Sequence, residues 1–70
     1  MNIKNEKHAR EMLEKWRKLP IPAQKREIKL AIEKLDLGGM YYEQKGNDQG
    51  VARCEKCVII LEEHLKSLDD

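Results

Sequence analysis

The residue types best suited to chemistry lie in one stretch, residues 50–65, which reads GVARCEKCVIILEEHL. It holds the only two cysteines of the chain, Cys54 and Cys57, and a histidine, His64, seven residues after the second. These residues could form a zinc site or a thiol–disulfide redox pair. They could also have no chemistry, with both thiols packed as small apolar groups in a helix. The surrounding apolar pattern bears on this choice.

Apolar residues in this region recur with alternating spacings of three and four, the a/d heptad pattern of a packed helix. The helix is predicted to run from Asp48 to Leu68, with Cys54 on the seam and Cys57 on its shoulder. On a regular helix Cys57 and His64 lie about 10 Å apart along the axis, whereas zinc–ligand bonds are about 2.0–2.3 Å long. We therefore predict that both thiols belong to the core and that no metal is bound. The seam comprises Val51, Cys54, Val58, Leu61, Leu65 and Leu68.

Two alternatives for the cysteines remain open. A zinc-stabilised module through Cys54 and Cys57 would require the helix to begin after Cys57, and it would need a further ligand, for which His8 is a candidate. A redox pair is expected at a helix N-terminus after a strand, where the helix dipole lowers the thiol pKa. No strand is predicted before Cys54, which disfavours the redox alternative.

A first helix is predicted from Asn5, its N-cap, to Leu19, where Pro20 stops it. A second is predicted from Pro22 to Leu35 and is ended by residues 36–39, DLGG, with Gly38 or Gly39 in a left-handed conformation. Both helices carry one apolar stripe: Ala9, Met12, Leu13, Trp16 and Leu19 on the first, and Ile28, Ala31, Ile32 and Leu35 on the second.

The segment after residue 39 has two interpretations. A short fourth helix over residues 40–45 would follow a break at the glycines, or the second helix would continue through them toward Gly46. We favour the break, because each glycine inside a helix costs about 1 kcal/mol relative to alanine. The sequence thus predicts an all-α fold, a small three-helix bundle forming a single domain over residues 1–70.

A chain of 70 residues buries a modest fraction of its surface and commonly needs a disulfide, a metal or a partner subunit. Two cysteines three positions apart cannot staple the fold, because the loop they close is too short to matter entropically. We therefore expect a homodimer formed through the last helix. The predicted dimer interface is Val58, Leu61, Leu65 and Leu68.

Charge is balanced overall but divided along the chain. Residues 1–34 carry ten Lys or Arg and five Glu, whereas residues 35–70 carry four Lys or Arg and eight Asp or Glu. Two such halves can attract each other head to tail. The basic half also supports an alternative function, nucleic-acid binding, which would weaken as salt rises. The candidate phosphate contacts are Lys15, Arg17, Lys18, Lys25, Arg26 and Lys29.

The function predicted from the residues is non-enzymatic and needs no cofactor. The chain has no Thr and a single Ser, Ser67, and neither a phosphate-binding loop nor a paired acid and base is recognisable. We expect a small protein-binding regulator, inhibitor or adaptor. Trp and Arg dominate binding hot spots, and exposed Tyr beside a Gly-rich turn suits an interaction surface. The predicted partner-binding residues are Trp16, Arg17, Lys18, Tyr41 and Tyr42.

The expected location is the cytoplasm. No run of 18 apolar residues is present, so no membrane association is predicted. The N-terminal residues lack the apolar segment of a signal peptide, and the thiols are expected to be reduced.

Overall fold

Three α-helices build the fold in the computed structural model, which describes residues 3–69. The first, α1, spans Glu6–Trp16, α2 spans Ile21–Gln44 and α3 spans Asp48–Ser67. Three residues join α2 to α3, so these two helices form an antiparallel hairpin, and they make the most extensive helix pair, while α1 packs mainly on α3. The predicted all-α three-helix bundle is confirmed.

The core lies where the three helices meet, and each helix contributes to it. Ile28, Cys57 and Leu61 are its largest fully buried side chains. Burying an Ile or Leu side chain contributes about 1.5–3 kcal/mol, so this junction stabilises the whole bundle. The core comprises Ala9, Leu13, Ile28, Ala31, Leu35, Cys54, Cys57 and Leu61.

The first helix begins as predicted and ends about one turn earlier than predicted. The side chain of Asn5 accepts a hydrogen bond from the backbone N–H of His8 at 2.8 Å, which is N-cap geometry. The helix ends at Trp16. The buried Gln24 amide donates to the carbonyl oxygen of Leu19 at 2.8 Å and so ties the connector to the first turns of α2.

The predicted break in the second helix is wrong, and so is a separate helix over residues 40–45. α2 runs continuously through Gly38 and Gly39 to Gln44. The chain turns away from the helix at Gly46, whose φ of +71° is left-handed. There the N–H of Gly46 donates to the carbonyl of Glu43 at 3.1 Å, and the N–H of Asn47 donates to that of Tyr42 at 2.9 Å. This is a Schellman motif, formed about two turns later than predicted.

The two glycines inside α2 lie on the side of the helix that packs against α3. A Cβ built at Gly38 would lie 3.6 Å from Sγ of Cys54, and one built at Gly39 would lie 3.8 Å from Cβ of Cys54. Both are ordinary van der Waals distances, so the packing does not require glycine at either position. The contacts of α2 with α3 offset the helix-propensity cost that argued for a break.

The third helix begins at Asp48, as predicted, but its buried side is rotated from the predicted seam. Gly50, Cys54, Cys57 and Leu61 are its buried residues, whereas Val58 is only half-buried. Because α3 packs against two helices rather than one, its buried side is wider than a two-helix seam and takes in Cys57. The prediction that Cys57 lies on the shoulder of the seam is wrong.

No helix within residues 3–69 has the length and apolar character needed to cross a lipid bilayer.

Candidate protein-binding surface

The outer face of α2 carries the largest group of exposed apolar side chains in the described part of the chain. Leu30, Leu37, Met40 and Tyr41 are 46, 65, 58 and 57% exposed. Leu30, Leu37 and Tyr41 are seven and four residues apart, so they share one side of the helix, roughly opposite the buried stripe that begins at Ile28. We define the outer face as these four residues together with the charged residues between them and on their flanks: Arg26, Glu27, Glu33 and Lys34.

Sequence reasoning missed this surface. Its signal is a second stripe of apolar residues, Leu30, Leu37 and Tyr41, with helical spacing. The stripe is recognisable only when α2 is one helix, because a break at residues 36–39 separates Leu30 from the other two. The incorrect prediction of the helix end therefore concealed the apolar second side of α2.

The predicted partner-binding residues of the first helix lie at its end and in the connector. Trp16 is half-buried and packs against the core. Arg17 and Lys18 are exposed, and Nε of Arg17 lies 3.7 Å from a carboxylate oxygen of Glu14. An exposed pair of this kind contributes little to stability, so both basic side chains remain accessible.

Tyr41 and Tyr42 point in different directions, as expected for neighbours on a helix. Tyr42 packs against the core, whereas Tyr41 is exposed. Their ring centroids are 5.7 Å apart with an edge-to-face angle of 67°, and Nζ of Lys45 lies 5.7 Å from the centroid of the Tyr41 ring. Edge-to-face stacking and a cation over the ring both favour a fixed ring position, so Tyr41 presents a preoriented apolar surface.

The two groups of predicted partner-binding residues lie at different levels along α2. Trp16 reaches the level of Leu30, with which it lines one groove. Eleven residues of α2 separate Leu30 from Tyr41, which corresponds to about 16 Å along the axis. Trp16 and Tyr41 are therefore not in one cluster.

A shallow groove of about 150 Å³ joins the outer face of α2 to α1. Trp16 and Met12 line it from α1, and Leu30, Glu27 and Lys34 are among its α2 residues. The indole of Trp16 is therefore continuous with the apolar surface of Leu30. The groove extends the outer face of α2 toward the predicted partner-binding residues of α1.

The predicted dimer interface on α3 packs largely into or against the protein's own core. Leu61 is 0% exposed, so its side chain contacts residues of the same chain. Val58, Leu65 and Leu68 are half-buried and pack against the core cluster. The homodimer itself stays a prediction, but the outer face of α2 offers far more exposed apolar surface for it.

Both thiols are part of the core cluster, which is the role predicted for them. Cys54 is 9% exposed and Cys57 is 1% exposed. Burial raises the pKa of both thiols above the ordinary 9.0; the Cys54 thiol raises that of Cys57 further, while Arg53 acts in the opposite direction on each. Because the thiolate is the reactive form, both groups are poor nucleophiles at neutral pH.

The zinc alternative required α3 to begin after Cys57, but α3 is helical from Asp48 onward. Cys57 and His64 therefore lie about 10 Å apart along the axis. Among residues 3–69, no three His, Cys, Asp or Glu side chains are grouped closely enough to ligate one ion.

One of the basic residues proposed for nucleic-acid binding is held in an ion pair. Nζ of Lys25 lies 2.6 Å from a carboxylate oxygen of Asp69, whereas Arg26 and Lys29 are exposed. Hydrogen bonding and attraction from Lys25 lower the pKa of the Asp69 carboxyl. Part of the basic charge is thus neutralised locally, and nucleic-acid binding stays an untested prediction.

The outer face of α2 is accordingly the candidate protein-binding surface of the described residues. Comparison of the chain with protein-family models, with curated proteins and with solved structures finds no match.

Proposed function

We propose that this protein is a small non-enzymatic regulator or adaptor that acts through protein–protein contact as a helical homodimer, with the outer face of α2 as its dimer interface. The observation that carries the proposal is the exposure of Leu30, Leu37 and Tyr41 on one side of a single helix. Contiguous exposed apolar patches on small proteins mark interaction sites. Exposed apolar side chains of this size gain free energy when a partner covers them.

A second copy of the chain fits this surface because the surface carries charges of both signs. Arg26 and Lys34 are accompanied by Glu27 and Glu33, so the outer face has no net charge and can complement itself. A two-fold interface requires such self-complementarity, since the same patch serves both subunits. Dimerisation would also bury additional apolar surface for a chain of 70 residues, which is small for independent stability.

The regulated partner would be another protein, held by the exposed connector residues Arg17 and Lys18 at the border of this interface. Trp16 lies beside them, in the groove that interface residues Leu30, Glu27 and Lys34 also line, so the partner would reach the indole at the edge of the dimer contact. This combination of Trp with basic residues is typical of binding hot spots. The buried thiols, with their raised pKa values, suit a structural rather than a catalytic role.

The proposal is tested by sedimentation and native mass spectrometry at micromolar concentration, comparing the wild type with Leu37→Lys. Leu37 is 65% exposed and supports no core contact, so the variant should fold normally. The matched control is Ile59→Lys, which places the same charge at an exposed apolar position, 53% accessible, on α3.

The expected result is a wild-type dimer, an Ile59→Lys dimer and a Leu37→Lys monomer with unchanged helical circular dichroism. A wild type that is monomeric would overturn the proposal. A dimer that dissociates with Ile59→Lys and withstands Leu37→Lys would place the interface on α3 and overturn it as well.

A further inference from the structure

We infer that this protein binds a small amphiphilic carboxylate, of the medium-chain fatty-acid class, where its N-terminal segment meets α2 and α3. The site goes beyond the proposed dimer, because it does not involve Leu37 and a monomer would contain it as fully as a dimer. The inference follows from two adjoining cavities, from the apolar groups inside them and from the charges at their edges.

Two cavities of about 220 and 160 Å³ adjoin at this place. Ile3, Leu35, Tyr42 and Cys54 line both of them, so one ligand can reach from one cavity into the other. Pockets for drug-sized ligands measure about 300–1,000 Å³, and these cavities therefore suit a smaller molecule. The larger cavity is also lined by Lys4, Arg53 and Cys57, and the smaller one by Lys34 and Gly38.

The inner walls of the two cavities are apolar. Leu35, Cys54 and Cys57 are buried in the core, and Ile3 and Tyr42 pack against that core. A hydrocarbon chain placed here would lose its contact with water, which is the main favourable term in binding an apolar group. Each methylene group buried in this way should tighten binding about fourfold.

Among the described residues, the charged ones that line the two cavities are all basic: Lys4, Lys34 and Arg53. All three are exposed, so they lie at the edges of the cavities. Within residues 3–69 none of them is in an ion pair. Glu6 and Asp36 are near enough to raise the pKa of a thiol, but neither lines a cavity. The edges therefore attract an anion.

The thiols do not oppose this attraction. Burial raises the pKa of Cys54 and Cys57, so both are protonated and uncharged at neutral pH. A ligand with its chain inside and a carboxylate at the edge satisfies the apolar walls and the cations together. A neutral chain would satisfy only the walls, and a cationic one would be repelled at the edge.

The test is an NMR titration of the 15N-labelled protein with octanoate, and with 1-octanol and octylamine as ligands of the same chain length. Octanoate should shift the amide resonances of the residues that line the cavities and bind most tightly, and octylamine should bind most weakly. Hexanoate, which is two methylene groups shorter, should bind about fifteenfold more weakly than octanoate. Octanoate should also slow the reaction of Cys54 with iodoacetamide, because Cys54 lines both cavities.

The double variant Lys4→Gln/Arg53→Gln tests the cations at the larger cavity. It should bind octanoate about tenfold more weakly, since each exposed charge contact contributes about threefold, and it should bind 1-octanol like the wild type. The matched control is Lys7→Gln/Lys56→Gln, which removes the same charge from exposed positions on α1 and α3. This control should bind both ligands like the wild type.

Four results would each overturn the inference: no shifts at millimolar octanoate, shifts confined to the outer face of α2, equal affinity for octanoate and 1-octanol, or an equal loss of octanoate affinity in both double variants. None of these results bears on a Leu37-dependent dimer, so the proposed function stands or falls separately.

Discussion

The aromatic ring of Tyr42 lies directly on the backbone of Gly50, where α2 and α3 converge. A Cβ at position 50 would lie 2.5 Å from Cγ of the ring and 2.7 and 2.8 Å from its two Cδ atoms. These atoms belong to the near end of the ring, which the bond to Cβ of Tyr42 holds in place. Only glycine therefore fits between the α3 backbone and the tyrosine.

Replacing Gly50 by alanine should destabilise the bundle. The added methyl group forces the Tyr42 ring or the end of the α2–α3 hairpin to move, and overpacking of this kind costs about 1–3 kcal/mol. Chemical denaturation followed by circular dichroism measures the free energy of unfolding. A variant as stable as the wild type would mean that the ring does not rest on Gly50.

A double-mutant cycle isolates the contact between the two residues. In a Tyr42→Ala background the ring is gone, so Gly50→Ala should be neutral or stabilise α3 by up to about 1 kcal/mol through helix propensity. The sign of the Gly50→Ala effect should thus reverse between the two backgrounds. An equal loss of stability in both backgrounds would mean that the cost arises from the α3 backbone rather than from the Tyr42 ring.

Gly39→Ala should have the opposite effect and stabilise the protein by about 0.5–1 kcal/mol. Its Cβ would lie 3.8 Å from Cβ of Cys54, which is an ordinary van der Waals distance. The change also removes the conformational freedom of a glycine from the middle of α2. Thermal unfolding should show a raised Tm relative to the wild type, and a lowered Tm would indicate that α2 and α3 cannot accommodate the methyl group.

These glycines also explain how far the fold could be predicted from sequence. The N-cap at Asn5 was predictable because capping depends on a few neighbouring residues. The continuation of α2 through Gly38 was not, since it depends on the contacts of α2 with another helix. Gly46, which does end α2, adopts the left-handed conformation that was assigned to the earlier glycines.

The candidate surface also depended on contacts between helices, which could not be predicted from neighbouring residues. An apolar side of α3 was predictable from spacing, but the burial of Cys57 depends on α1 and α2 both packing there. Leu30 and Leu37 can be placed on one side of α2 only when α2 is one continuous helix. Tertiary contacts, rather than local propensity, decided both outcomes.

The buried thiols should resist alkylation in the folded protein, and Cys57 should react more slowly than Cys54. Cys57 is the more buried of the two, and burial raises both thiol pKa values. Iodoacetamide labelling at pH 8, followed by mass spectrometry, gives both rates, and labelling in denaturant supplies the reference. Rapid labelling of Cys57 without denaturant would contradict its place in the core.

The same raised pKa values predict a loss of stability in alkali. Thiols of the unfolded chain ionise near their ordinary pKa of 9.0, whereas the buried thiols of the folded protein ionise only at higher pH. Their contribution is therefore complete below that value and is lost as pH rises toward the folded-state pKa values. The free energy of unfolding should fall above about pH 9, and a Cys54→Ala/Cys57→Ala variant should fall less steeply over the same range.

The ion pair between Lys25 and Asp69 should be visible in the titration of a single carboxyl. The Lys25 ammonium donates a hydrogen bond to Asp69 at 2.6 Å, which lowers the Asp69 pKa below its ordinary 3.8. A carboxyl with a lowered folded-state pKa stabilises the fold above its unfolded-state pKa, here the ordinary 3.8. That contribution is lost as pH falls through the folded-state value.

An NMR titration of the Asp69 carboxyl in the wild type and in Lys25→Gln measures this directly. The wild-type midpoint should lie below 3.8, and the Lys25→Gln midpoint should return toward it. Added salt should raise the wild-type midpoint, because both groups are solvent-accessible and their attraction is screened. Lys66→Gln removes the same charge from the last turn of α3, three residues before Asp69, and serves as the matched control. Identical midpoints in the wild type and Lys25→Gln would show that the end of α3 is not held to α2 by this pair.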